Sequence, residues 1–193
     1  MSTIVNENTR DNIRDDDGRT RNSRLKFLDD LSGYKVHHDD VDPRGYSVKL
    51  RSGETIGEVE GLLADIDANL VRYVEVEIDD DVIDRHDRNL YPDENKHALV
   101  PVGLVHIDTS TNSITLAGIA ASQITDYPRF HKTHGYSTRY EIDTNDYLSG
   151  FHEYGSSYNR DRFSTDEYRR ADRLDDEFYT SDFYTTRASR QTI

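Results

Sequence analysis

The sequence predicts a mainly β protein: a folded centre of short strands, flanked by polar N- and C-terminal segments expected to be disordered. Three observations lead there. Only 34% of the 193 residues are hydrophobic while 32% are charged, too polar a mixture to offset the ordering entropy of every residue. The aliphatic residues gather in the middle of the chain, where they alternate with polar ones at period two. Both ends are instead rich in Asp, Arg, Asn, Ser and Thr.

Residues 1–34 read as a disordered acidic segment with a short amphipathic piece at 25–31. There Leu25, Leu28 and Phe27/Leu31 are expected to cover one side of a single helical turn, packing on the rim of the folded centre or meeting a partner. The folded domain is expected over residues 35–130. Tyr46–Leu50 alternates as a strand, and Arg51–Glu54 supplies a turn. Thr55–Glu60 alternates again, although Ile56 breaks strict period two unless Gly57 marks a bulge. Leu62–Ile66 continues that strand to a turn at Asp67-Ala68-Asn69. Leu70–Ile78 is the clearest strand, with Arg72, Val74, Val76 and Ile78 on one face and Val71, Tyr73, Glu75 and Glu77 on the other. That register places Glu75 and Glu77 in water. Residues 79–97 read as a polar loop. Strands are expected at 98–102, 104–108 and 113–116, then a short C-terminal helix within 120–127 stopped by Pro128.

Residues 131–193 read as a disordered Tyr/Asp/Arg-rich tail, with eight of the thirteen tyrosines and no valine. Aromatics without aliphatic partners are better suited to binding than to a core. Ser164–Glu167 can cap a helix carrying Tyr168, Ala171, Leu174 and Phe178 on one side. The candidate partner-binding residues are therefore Tyr168, Leu174, Phe178, Tyr179, Phe183 and Tyr184; the alternative is a solvated low-complexity tail.

The middle strands resemble a known family. Gly53-Glu54-Thr55-Ile56-Gly57-Glu58-Val59-Glu60-Gly61-Leu62-Leu63-Ala64-Asp65, Val71–Val76, Val100–Asp108 and Ile124–Phe130 are similar, in order, to the segments of the PRC-barrel family. The resemblance implies a small antiparallel β-barrel used as a docking module, with no catalytic residues of its own. The family includes the cytoplasmic domain of the photosynthetic reaction-centre H subunit, which supports photosynthetic electron-transfer complexes, and the C-terminal domain of a ribosome-maturation factor. This sequence shows neither the membrane helix of the former nor the additional N-terminal barrel of the latter. Its nearer likeness is to stand-alone bacterial PRC-barrel proteins with Tyr/Asp/Arg-rich tails.

The remaining chemistry is sparse. Without cysteine there is no disulfide, thiolate nucleophile or iron–sulfur site. Asp65-Ile66-Asp67-Ala68-Asn69 opens like a calcium loop, but Leu70 and Val76 occupy the positions that need Gly and Glu, so a hairpin turn is expected. Asp79, Asp80, Asp81, Asp84, His86 and Asp87 form a solvated acidic run with no diagnostic spacing. His37-His38 and His106 are candidates to titrate near neutral pH, with His106 expected at the surface. No enzyme, metal site or cofactor is expected. The net charge of −14 and only five lysines argue against nucleic acid. The expected protein is a cytoplasmic docking or adaptor module for protein partners, without a transmembrane segment, peripheral membrane association and homo-oligomers being left open. The alternative is a stress-related acidic solubility or hydration protein.

Overall fold

The computed structural model describes residues 3–6, 24–86, 95–124, 126–132, 136–151, 157–171 and 173–185. The strands are β1 (Ile4–Asn6), β2 (Leu25–Phe27), β3 (Tyr34–Val36), β4 (Ser47–Leu50), β5 (Thr55–Asp65), β6 (Leu70–Ile78), β7 (His97–Pro101), β8 (Val105–Asp108) and β9 (Ser113–Leu116). The helices are α1 (Asp80–His86), α2 (Ala121–Ile124), α3 (Thr138–Ser149), α4 (Arg160–Phe163) and α5 (Asp166–Arg169). A seven-stranded sheet runs β7-β6-β5-β4-β9-β8, with β2 added to β5, and β1 pairs β3 separately.

The sheet is mixed rather than antiparallel throughout. β9 returns beside β4 in the same direction, Ser47 opposite Ser113 through Leu50 opposite Leu116. Alternation identifies strands but carries no information about which strand lies alongside. The bulge in β5 appears where the sequence placed it. Val48 faces Gly57 and Lys49 faces Thr55, which leaves Ile56 as the extra residue. A Cβ at Gly57 would lie 1.9 Å from the Glu77 carbonyl oxygen, so only glycine permits this approach of β5 to β6.

The described parts of the ends differ from the expectation. Leu25, Leu28 and Leu31 are buried, but as a strand on β5 followed by a 3-10 turn over Leu28–Asp30, not as an α-helical turn. Beyond residue 131, where a disordered tail is expected, the described residues pack on the sheet. One hydrophobic cluster runs from Ile4 and Leu25 through the strands to Ile142, Phe163, Leu174, Phe178 and Tyr184. The aromatic rings supply for one another the contacts that aliphatic partners would otherwise give: Phe163–Phe178 centroids are 5.2 Å apart, Tyr158–Phe183 5.9 Å and Tyr73–Tyr184 5.4 Å. Residues 1–2, 7–23 and 186–193 lie outside the described residues, and the expectation of disorder there lies outside them too.

This covering layer also corrects the reading of β6. Of its nine residues only Glu77 is exposed; Glu75 is 1% exposed. Its carboxylate lies 3.1 Å from His97 Nδ1 and 3.9 Å from Lys132 Nζ. Alternation assigns Glu75 to the second face correctly, but that face carries its own protein layer.

Candidate functional site

The residues proposed from the sequence as partner anchors are mostly interior. Leu174, Phe178, Phe183 and Tyr184 are 0% exposed and Tyr179 3%, while Tyr168 is half-buried. The single helix expected to carry Tyr168 through Phe178 is limited to α5. Its N-cap Thr165 makes no side-chain capping bond, and Asp176–Thr180 form a separate 3-10 turn.

Polar side chains fasten this layer. Glu141 of α3, fully buried, accepts hydrogen bonds from the Tyr73 hydroxyl at 3.1 Å and the Tyr179 hydroxyl at 2.8 Å. The Tyr184 hydroxyl sits 2.5 Å from that of Tyr73 and 3.0 Å from Asn145 Nδ2. Burial pushes the Tyr73, Tyr179 and Tyr184 hydroxyls well above their ordinary range, with the neighbouring Glu141 carboxylate raising them further. They are neutral donors at any physiological pH.

The Gly103 amide donates to the Phe183 carbonyl at 2.7 Å. A Cβ on Gly103 would meet the Asp182 carbonyl oxygen at 2.3 Å and that of Phe183 at 2.6 Å. Gly103→Ala is therefore expected to lift this segment, costing about 1–3 kcal/mol as an overpacked contact does. Urea denaturation with an unchanged midpoint would show that the segment is not seated as described.

Beside the covered part of β6, the described residues also form an acidic groove of about 290 Å³ open to solvent. Glu58 and Glu60 of β5, Glu77 of β6, and Asp79 and Asp80 at the start of α1 line it, together with Ile78 and Lys96. All five carboxylate residues are exposed. Glu58 and Glu77 stand directly opposite in the β5–β6 ladder, a like-charge pairing that weakens a sheet. Lys96 pairs with Asp80, and Lys132 donates to Glu60 at 2.7 Å from outside the groove. The Lys132 hydrogen bond holds the Glu60 carboxyl below its ordinary value, against a partial upward push from burial.

The sequence reads residues 79–97 as a loop, yet α1 begins there. Val82 and Ile83 are buried, with their amides bonded to the Asp79 carbonyl. Asp80 and Asp81 occupy its first turn, where negative charge favours a helix; this acidic start before an apolar pair is a readable signal. Asp87 and residues 88–94 lie outside the described residues, as do the side chains of Asp84 and His86.

The calcium-like opening is a hairpin turn. Asn69 takes a φ of 55°, Asp65 is held by Arg24 and Arg72, and Asp67 is bonded to Arg173. His106 is exposed on β8, as expected. A grouping that the sequence does not single out as ligands is His37, His38 and Asp39, whose candidate ligand atoms all lie within 4.8 Å of one another. No helix among the described residues is long and apolar enough to cross a membrane.

Residues 35–123 match the family model described as PRC-barrel domain. The match stops before the covering layer, so α3, α4, α5 and the segment to Thr185 lie outside it. A search among curated proteins finds no match.

Proposed function

We propose that the PRC-barrel domain at residues 35–123 is a non-enzymatic docking module, its sheet arranged as a PRC-type barrel, and that it meets a protein partner through the acidic groove. The observation that carries this reading is the covered sheet. The chain's own C-terminal layer occupies one face of β6, and the concave surface beside it gathers five carboxylates against one lysine. The directly opposed Glu58 and Glu77 cost stability, a cost offset when a cationic surface lies over them. The partner's contact surface is accordingly basic and protein in nature, in a cytoplasmic setting. The second reading, an acidic solubility or hydration protein, draws on the net charge of −14.

One experiment separates the two. Anisotropy of a labelled Lys/Arg-rich peptide is measured with the full chain, with Glu58→Lys/Glu77→Lys, and with Asp161→Lys/Asp166→Lys as an equal charge change elsewhere. Docking predicts at least about a tenfold affinity loss in the groove variant alone, the scale of a well-placed charge contact. Equal losses in both variants favour diffuse attraction to an acidic protein. In addition, the single Glu58→Lys variant places opposite charges across the ladder and is expected to gain about 0.2–1 kcal/mol while losing binding.

A further inference from the structure

We infer that the turn at His37-His38-Asp39 is a three-ligand site for a borderline divalent cation of the zinc, nickel or copper(II) class. The donor set is two imidazole nitrogens and one carboxylate, the mixture such ions favour and that harder calcium and magnesium do not. His38 Nε2 lies 3.2 Å from one Asp39 oxygen and His37 Nδ1 3.7 Å from the other. The imidazole centroids are 4.3 Å apart. All three candidate ligand atoms lie within 4.8 Å of one another, so modest side-chain rotation brings them onto one ion at about 2.0–2.2 Å each. Their position leaves a fourth coordination site to water or to a partner's side chain.

The backbone holds these residues together before any ion arrives. The His37 amide donates to the Thr3 carbonyl at 2.7 Å, the Asp40 amide donates to the His37 carbonyl at 2.9 Å, and the Thr3 amide donates to Asp40 Oδ2 at 2.7 Å. The turn is thus fixed both to Thr3, the residue before β1, and across its own ends. Two of the ligands remain accessible, with His38 78% and Asp39 77% exposed. The His37 ring is already placed by the hydrogen bond its Nδ1 accepts from the Asp39 amide at 3.3 Å, a bond that ligation through that nitrogen replaces, and a fixed backbone beneath the three side chains lowers the ordering cost of ligation. The Asp39 carboxylate also supplies negative charge against the cation.

The test is calorimetric titration of the full chain with zinc chloride and, separately, nickel chloride. The wild-type protein is expected to bind one ion per chain in competition with a hundredfold excess of calcium. His38→Gln and Asp39→Asn, both at exposed positions, are expected to weaken zinc at least about tenfold, the scale on which even supporting groups of a metal site matter. His106→Gln, an exposed histidine elsewhere, is expected to change nothing. Thermal melts of each variant confirm that the fold is retained. Absence of stoichiometric binding in the wild type overturns the assignment, and so does equal zinc affinity in His38→Gln.

Discussion

Phe178→Ala in the full chain is expected to lower unfolding free energy by about 3–5 kcal/mol, as removal of a buried aromatic ring does. In a domain stabilised by about 5–15 kcal/mol this is a large share. Phe178 is 0% exposed and its ring meets Phe163, Tyr158, Tyr179 and Tyr184 at centroid distances of 5.2 to 6.0 Å. Truncation leaves a cavity bordered by four other rings, none free to close it without breaking its own contacts. The effect is read as a shift of the urea midpoint with an unchanged slope, meaning that the whole domain feels the loss. A solvated tail would give a change within about 0.5 kcal/mol, and that outcome would sink the covering layer altogether. Thr180→Ala, two positions away and exposed, should stay within that smaller range.

The contrast between β6 and α3 explains what can be read in advance. β6 is legible because Val74, Val76 and Ile78 repeat at period two and nothing interrupts them. The bulge at Ile56 and Gly57 is legible because a glycine sits where the alternation fails. α3 is nearly invisible: its buried side is built from Thr138, Glu141, Thr144 and Asn145, with only Ile142 and Leu148 as apolar markers. Tyrosine hydroxyls from β6 and from the C-terminal segment satisfy Glu141 and Asn145, and the Ala171 carbonyl satisfies Thr138, which lowers the cost of burying them. Hydrophobic periodicity cannot reveal a helix whose partners are hydroxyl groups far away in sequence. Alternation assigns Glu75 to its face but not its burial, since the His97 and Lys132 side chains that lie against it carry no apolar signature. Each groove carboxylate is readable as an exposed position, but the juxtaposition of Glu58 with Glu77 depends on a register set by the bulges in β5. His37 and His38 are readable as residue types, whereas their approach to Asp39 needs the turn geometry.

Asp65→Asn is expected to cost about 3–5 kcal/mol at neutral pH, because it strips the shared anion from two buried guanidinium groups, while Arg24 keeps its ion pair with the exposed Asp176. Asp65 is 0% exposed, Arg24 3% and Arg72 8%. Its Oδ2 accepts from Arg24 Nη2 at 2.7 Å and from Arg72 Nη2 at 2.9 Å and Nε at 3.1 Å, while Oδ1 accepts the Ala68 amide at 3.1 Å. The Tyr179 ring lies 4.8 Å from the Arg24 guanidinium and 5.1 Å from that of Arg72, tying the covering layer to the same charges. Burial alone would raise the Asp65 carboxyl; the hydrogen bonds from Arg24, the Ala68 amide and Arg72 outweigh it and hold the group below its ordinary 3.8. A depressed folded value fixes the sign of the pH dependence. The carboxylate's contribution is fully present above pH 3.8 and drains away as pH falls through the lower folded value. The stability gap between wild type and Asp65→Asn should therefore hold steady from pH 7 to about pH 5 and narrow only below the ordinary carboxylate range. Urea titrations at pH 7, 5 and 3 measure it. A gap that stays constant down to pH 3 would mean that Asp65 is not held as an anion by these arginines.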